Sequence, residues 1–133
     1  MNNARRIGPF VLAEMLGEGR GTILYRAVRP EGNRPPREVC IRIARAPTDA
    51  MTTTRIRHEY ETLRSMDNPR IPKAYGHYAD EGALAMSYFS GATLADALQA
   101  TRDGLTTLAV STALDIIIEV AHGLRHGHST FGP

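Results

Sequence analysis

Residues 16–25, Leu-Gly-Glu-Gly-Arg-Gly-Thr-Ile-Leu-Tyr, set the strongest constraint on this chain. Gly17, Gly19 and Gly21 fall within five residues, between two apolar runs that read as strands. Glycine reaches positive φ and lets the backbone approach a ligand with no Cβ in the way. A glycine-dense turn between two strands is therefore a candidate cradle for phosphate, whose oxygens accept bonds from bare backbone N–H groups. Most glycine-rich hairpins bind nothing, so the remaining elements decide whether a site exists.

Residues 10–16 and 23–28 read as the two strands of that hairpin. Residues 29–37, with Pro30, Gly32, Asn33, Pro35 and Pro36, form a loop by composition. Residues 38–44 alternate, with Val39, Ile41 and Ile43 on one face and Cys40 and Arg42 on the other. Thr52, Thr53 or Thr54 offers an N-cap for a helix to about Met66, with Ile56, Tyr60 and Leu63 as its apolar stripe. Asp67-Asn68-Pro69 ends it, because proline disfavours helix at the residue before it. Residues 74–79 and 83–89 make a second hairpin. A capping box over Thr93–Asp96 opens a short helix to about Ala100, and a long helix follows over 108–127. The order predicts an α+β fold in which a five-stranded antiparallel sheet with one packed helix (residues 1–89) precedes two further helices (90–133).

Composition narrows the function classes. The chain has 133 residues, 42% hydrophobic and 23% charged, enough to bury one core without a disulfide staple. Cys40 is the single cysteine, so a disulfide framework is excluded and a reducing, cytoplasmic setting is expected. No run approaches membrane-spanning length, so no membrane partner is expected. The formal charge is +2 with 16 basic residues scattered along the sequence, and Trp is absent, so no nucleic-acid partner is expected either. His122 and His126 have metal-ligand spacing, but no carboxylate or cysteine nearby completes a set.

Five stretches in order resemble the first half of a eukaryotic-type protein kinase domain of the bacterial Ser/Thr kind. Leu16-Gly17-Glu18-Gly19 with Tyr25-Arg26-Ala27 resembles the opening glycine loop, and Val39-Cys40-Ile41-Arg42 stands in the V-A-I-K place. Residues 57–63 and 68–71 resemble the glutamate helix and the turn leaving it. Residues 84–89 with 91–96 resemble the gatekeeper strand, the hinge and the next helix, and residues 113–129 the long helix beside the catalytic loop. Two departures stand out: the third loop glycine falls on Thr22, and the family lysine is Arg42. A polypeptide ending at Pro133 also holds neither H-R-D nor D-F-G.

The resemblance implies an ATP site. Leu16, Leu24 and Cys40 would form the roof, Met86 the gatekeeper, and main-chain groups of Ser87 and Phe89 the hinge bonds. Gly17, Gly19 and Gly21 would face the phosphates, with Arg42 paired to Glu59 beside them. No residue of this chain is assigned a catalytic role. ATP binding is expected to be weak and Mg²⁺ is not expected to be held by this chain alone. The reading is a pseudokinase that signals through protein contacts. The alternative is the nucleotide-binding half of an active Ser/Thr kinase. Finally, Leu108, Val110, Ala113, Leu114, Ile117, Ala121 and Leu124 share one face of the long helix, while Ile116, Ile118 and Val120 fall outside it. With the first face packed, the other three would stay uncovered, so self-association or a partner protein is expected through the helix 108–127.

Overall fold

The computed structural model describes residues 4–131. Two compact units divide the chain: one runs to Asp67 and resumes over Pro72–Tyr88, and the other comprises Asn68–Ile71 with the residues from Phe89 onward.

The first unit is built on Glu38–Ala44 (β4). Its alternation buries both faces. Val39, Ile41 and Ile43 join Ile7, Phe10, Ala27, Ala83 and Ala85 in one cluster. Cys40 and Ala44 join Leu84, Met86 and Ile56 in a second, with Leu24, Tyr60 and Leu63 packed against it. A strand buried on both sides belongs in the middle of a sheet, and β4 lies there. Around it are Arg6–Ile7 (β1), Phe10–Glu18 (β2), Thr22–Val28 (β3), Ala74–Tyr78 (β5) and Ala83–Ser87 (β6). All pairings are antiparallel, in the order β1-β2-β3-β4-β6-β5.

The sheet thus has six strands, one more than the five expected. The addition is β1, whose two residues are too few to show any alternation. Long-range packing fixes it instead. Gly8 turns at φ +55°, and a Cβ there would lie 2.3 Å from Cε1 of Tyr78. A Cβ on Gly76 would meet the hydroxyl of the same ring at 2.8 Å. Tyr78 therefore occupies a slot that two missing side chains create, and Ile7 and Phe10 on either side of Gly8 are fully buried.

Ala50–Arg64 forms α1. It starts earlier than expected because Asp49, not Thr52–Thr54, is the N-cap. The Asp49 carboxylate accepts bonds from the backbone N–H groups of Met51 at 3.1 Å and Thr52 at 3.3 Å, and from the Thr52 hydroxyl at 2.6 Å. These bonds, the hydroxyl's first, hold the carboxyl below the usual carboxylate range. Ile56, Tyr60 and Leu63 face the second cluster as their spacing predicts, while Met66 lies beyond the helix end.

The second unit holds Leu94–Arg102 (α2) and Val110–Phe131 (α3). The capping box of α2 forms: Thr93 Oγ1 accepts from the Asp96 N–H at 3.1 Å and Asp96 Oδ2 from the Thr93 N–H at 3.3 Å. Residues 68–71 meet α3 where Arg70 bonds the Glu119 carboxylate. Gly123 lies one turn further along the helix, and a Cβ there would be 3.8 Å from that of Arg70. This reverses the expected polarity of the helix. Ile116 lies half-buried, and of the supposed packed stripe only Leu108 and Ala113 are half-buried, whereas Val110, Leu114, Ile117, Ala121 and Leu124 are exposed. Ile118 and Val120 are exposed as well, at the margins of that stripe. A small residue and a carboxylate that pairs with Arg70 decide which side is packed, and the widest apolar face is left free.

The Tyr78 slot gives a direct test. Gly8→Ala forces a Cβ into the ring and a left-handed residue with a side chain, which alone costs about 1–2 kcal/mol. Urea unfolding should show a loss of at least about 2 kcal/mol. An unchanged midpoint would mean that β1 does not depend on this turn.

Candidate functional site

The glycine turn joins β2 to β3 and is fastened at three points. The Gly19 N–H donates to the Thr22 carbonyl at 2.9 Å, closing the turn. The Gly21 carbonyl accepts from the Arg45 N–H at 2.9 Å, just past β4, where the Arg45 guanidinium also bonds Glu18 at 2.9 Å. Gly21 itself, at φ +75°, sits on the first turn of α1, and a Cβ would fall 2.9 Å from the Thr52 hydroxyl. Only glycine combines that φ with so close an approach. Thr52 is in turn held by Asp49, so the cap of α1 and the seat of the turn are the same group of atoms.

Arg42 extends from β4 between Leu24 of β3 and Leu84 of β6. Its apolar flanks leave one acidic partner in reach. Arg42 Nε lies 3.2 Å from Glu59 Oε2 on α1, with each side chain 35% exposed. The Nε atom itself is buried, and its N–H does not point at the carboxylate, so the contact is an ion pair without a hydrogen bond. At this exposure such a pair is screened and contributes modestly.

Between the turn, β4 and α1 lies a cavity of about 250 Å³. Gly19, Arg20 and Thr22 line it from the turn, and Arg42 from the sheet. Thr52, Arg55, Ile56 and Glu59 line it from the helix. Gly19, Arg42 and Glu59 were legible beforehand; Arg20, Thr22, Thr52, Arg55 and Ile56 were not. Arg55 could have been found, because it stands four residues before Glu59 and so shares its helix face. Three arginines against one carboxylate among the lining residues give the cavity an excess of positive charge, suited to an anion.

The other expected residues lie outside this cavity. Gly17 stands in open space, and Leu16 is exposed. Leu24, Cys40 and Met86 pack in the second cluster, with Cys40 opposite Met86 across the β4–β6 pair. Burial pushes the Cys40 thiol up to about 11, so it stays protonated and unreactive at neutral pH. The Ser87 N–H donates to the Lys73 carbonyl at 2.9 Å, and its hydroxyl accepts from the Lys73 N–H at 2.9 Å. That N–H is engaged in the sheet's own pairing, which limits Ser87 to its carbonyl for any ligand. Phe89 is exposed and belongs to the second unit. Among the described residues no cluster of three or more His, Cys, Asp or Glu could hold a metal ion, and no helix is long and apolar enough to cross a membrane.

The family model for protein tyrosine and serine/threonine kinases matches residues 10–130. The calmodulin-binding receptor-like cytoplasmic kinase 3 of Arabidopsis thaliana is 27% identical over 124 residues, which are 92% of this chain and 23% of that protein. Among solved structures, the kinase domain of Mycobacterium tuberculosis PknI superimposes with a TM-score of 0.69 at 19% identity, over 97% of this chain and 51% of that one. A point-mutant form of the same domain gives 0.70 at 18%, over 97% and 52%. At these identities the likeness to the solved domains shows the fold alone. This chain spans about half the length of those domains and under a quarter of the plant kinase. The match over 10–130 and the six-stranded sheet with its glycine turn and glutamate helix agree: the chain belongs to the protein tyrosine and serine/threonine kinase family, in its N-terminal part.

Proposed function

We propose that this chain is the nucleotide-binding lobe of a pseudokinase, which signals through protein contacts and holds MgATP weakly. One observation carries the reading: an arginine, Arg42, stands on β4 where the family has lysine, and faces Glu59 at 3.2 Å. Lysine offers a compact, mobile charge, whereas the planar guanidinium fork suits carboxylate and is not exchangeable with it. Arg42 can hold α1 through Glu59 and still present the wrong geometry to a nucleotide positioned for transfer. Thr22 in place of the third loop glycine adds a side chain at the cavity wall.

In this reading Gly17, Gly19 and Gly21 border the phosphates with Arg42 and Glu59. Leu16, Leu24, Cys40 and Met86 border the base, and the Ser87 carbonyl bonds it. Phosphoryl transfer is mostly positioning and charge neutralisation by bound metal. Glu59 is the one carboxylate in the cavity and already faces Arg42, so this chain supplies no metal clamp of its own.

The chain should therefore give no phosphate transfer to itself or to a generic protein in a radiolabelled-ATP assay. Calorimetry should give a dissociation constant for MgATP no tighter than about a millimolar, equivalent to roughly 4 kcal/mol. Turnover, or micromolar MgATP affinity abolished by Arg42→Ala, would favour the second reading, the nucleotide-binding half of an active kinase, which the retained Arg42–Glu59 pair supports.

The contact surface belongs to α3. Val110, Leu114, Ile117 and Leu124 form an uncovered apolar stripe with Ile118 and Val120 at its margins. Leaving large aliphatics in water forgoes about 1.5–3 kcal/mol each. A second copy of the chain is the simplest cover, since a symmetric pair matches like stripe to like. Light scattering at tens of micromolar should report a dimer, and Ile117→Glu with Leu124→Lys should return it to a folded monomer. A monodisperse monomer of the unsubstituted chain would refute this.

A further inference from the structure

We infer that the cavity between the glycine turn, β4 and α1 is a metal-independent polyphosphate site, in which guanidinium groups replace the divalent cation. The inference rests on the reading above that this cavity receives phosphate, and adds the form of the ligand.

Charge is the first argument. Arg20, Arg42 and Arg55 come from three different elements and line one space with a single carboxylate, Glu59. Among the described residues neither Arg20 nor Arg55 forms an ion pair, and Arg55 touches only the Met51 sulfur, at 3.6 Å. Arg20 and Arg55 thus carry charge that no ion pair neutralises, although the Asp49 carboxylate acts on Arg55 through space, and they stand beside Arg42, whose own charge Glu59 partly offsets. An arrangement of this kind repels Mg²⁺. That ion also demands several oxygen ligands in octahedral array, and the cavity's one carboxylate is already engaged. A metal-free polyphosphate carries two more negative charges than its Mg²⁺ complex, and guanidinium forks bind phosphate oxygens bidentately.

Size is the second argument. At about 250 Å³ the cavity falls below the roughly 300–1,000 Å³ of sites that enclose a drug-sized ligand. It suits a chain of phosphates and leaves a base outside, in keeping with the absence of Leu16, Leu24 and Met86 from its lining. The recognised group is the phosphate chain, whether inorganic or carried by a nucleotide.

Calorimetry on the whole chain tests this with four titrations: inorganic pyrophosphate and ATP, each in EDTA and in excess Mg²⁺. Both should bind at least tenfold more tightly in EDTA than in Mg²⁺. Arg20→Ala and Arg55→Ala should each weaken the EDTA titrations about tenfold. Both side chains are exposed, so these variants should keep the parent's circular dichroism and unfolding midpoint. Tighter binding in Mg²⁺ would overturn the inference while leaving the phosphate reading intact. Affinity unchanged in both variants, or equal displacement by the same concentration of sulfate, would reduce the effect to general charge attraction and also overturn it. No binding of any titrant would overturn the inference and the phosphate reading together.

Discussion

Everything in the first unit depends on β4 being buried on both faces. A strand with one solvated face could carry its charge outward, but Arg42 sits between Cys40 and Ala44 in a face that packs against α1. A charge placed there without a partner would be costly, so the helix has to bring one. Glu59 is that partner, and its place on α1 follows from the stripe of Ile56, Tyr60 and Leu63 that docks the helix. The stripe therefore sets the rotation of α1 about its axis, the ion pair adds a modest coupling to it, and the direction in which Arg55 and Thr52 face follows. The cavity is a consequence of that setting.

The glycine turn completes it through packing rather than charge. Gly21 rests on the Thr52 hydroxyl, Thr52 is held by the Asp49 cap, and the Gly21 carbonyl is tied to Arg45 at the end of β4. The turn, the sheet and the helix are thus coupled by one small residue, Gly21, by the Thr52 hydroxyl and by a main-chain bond. A ligand in the cavity would touch all three elements at once. The family's lysine could fill the same strand position, but the compact ammonium would leave more of the space to a metal complex. An arginine narrows that choice toward anions that need no metal.

Much of this was legible in the sequence, for physical reasons that differ by element. The 2-residue period of β4 and the spacing of Ile56, Tyr60 and Leu63 are local patterns that mark the central strand and the packed face of α1, whereas the Arg42–Glu59 contact is implied by the family resemblance and by no local period. The strand β1 was hidden because its cause is the distant Tyr78 ring between Gly8 and Gly76. The start of α1 lies earlier than the three threonines suggest, because the Asp49 carboxylate accepts from the Met51 and Thr52 N–H groups and opens the helix at Ala50. The packed face of α3 was reversed because apolar width suggests burial, whereas Glu119 and Gly123 accept Arg70 and the chain beside it. Arg20 carries no local signal at all. Its role appears only when the turn is folded against the helix.

The central claim, that Arg42 and Glu59 couple the sheet to α1, is tested most directly by a double-mutant cycle read in urea unfolding. The variants are Arg42→Met, Glu59→Gln and the pair together. With both side chains about one-third exposed, a coupling energy of about 0.5–1 kcal/mol is expected, shrinking as salt is raised. Single losses that add to the double loss within about 0.3 kcal/mol would show that the two charges act independently and that α1 is positioned by its apolar stripe alone.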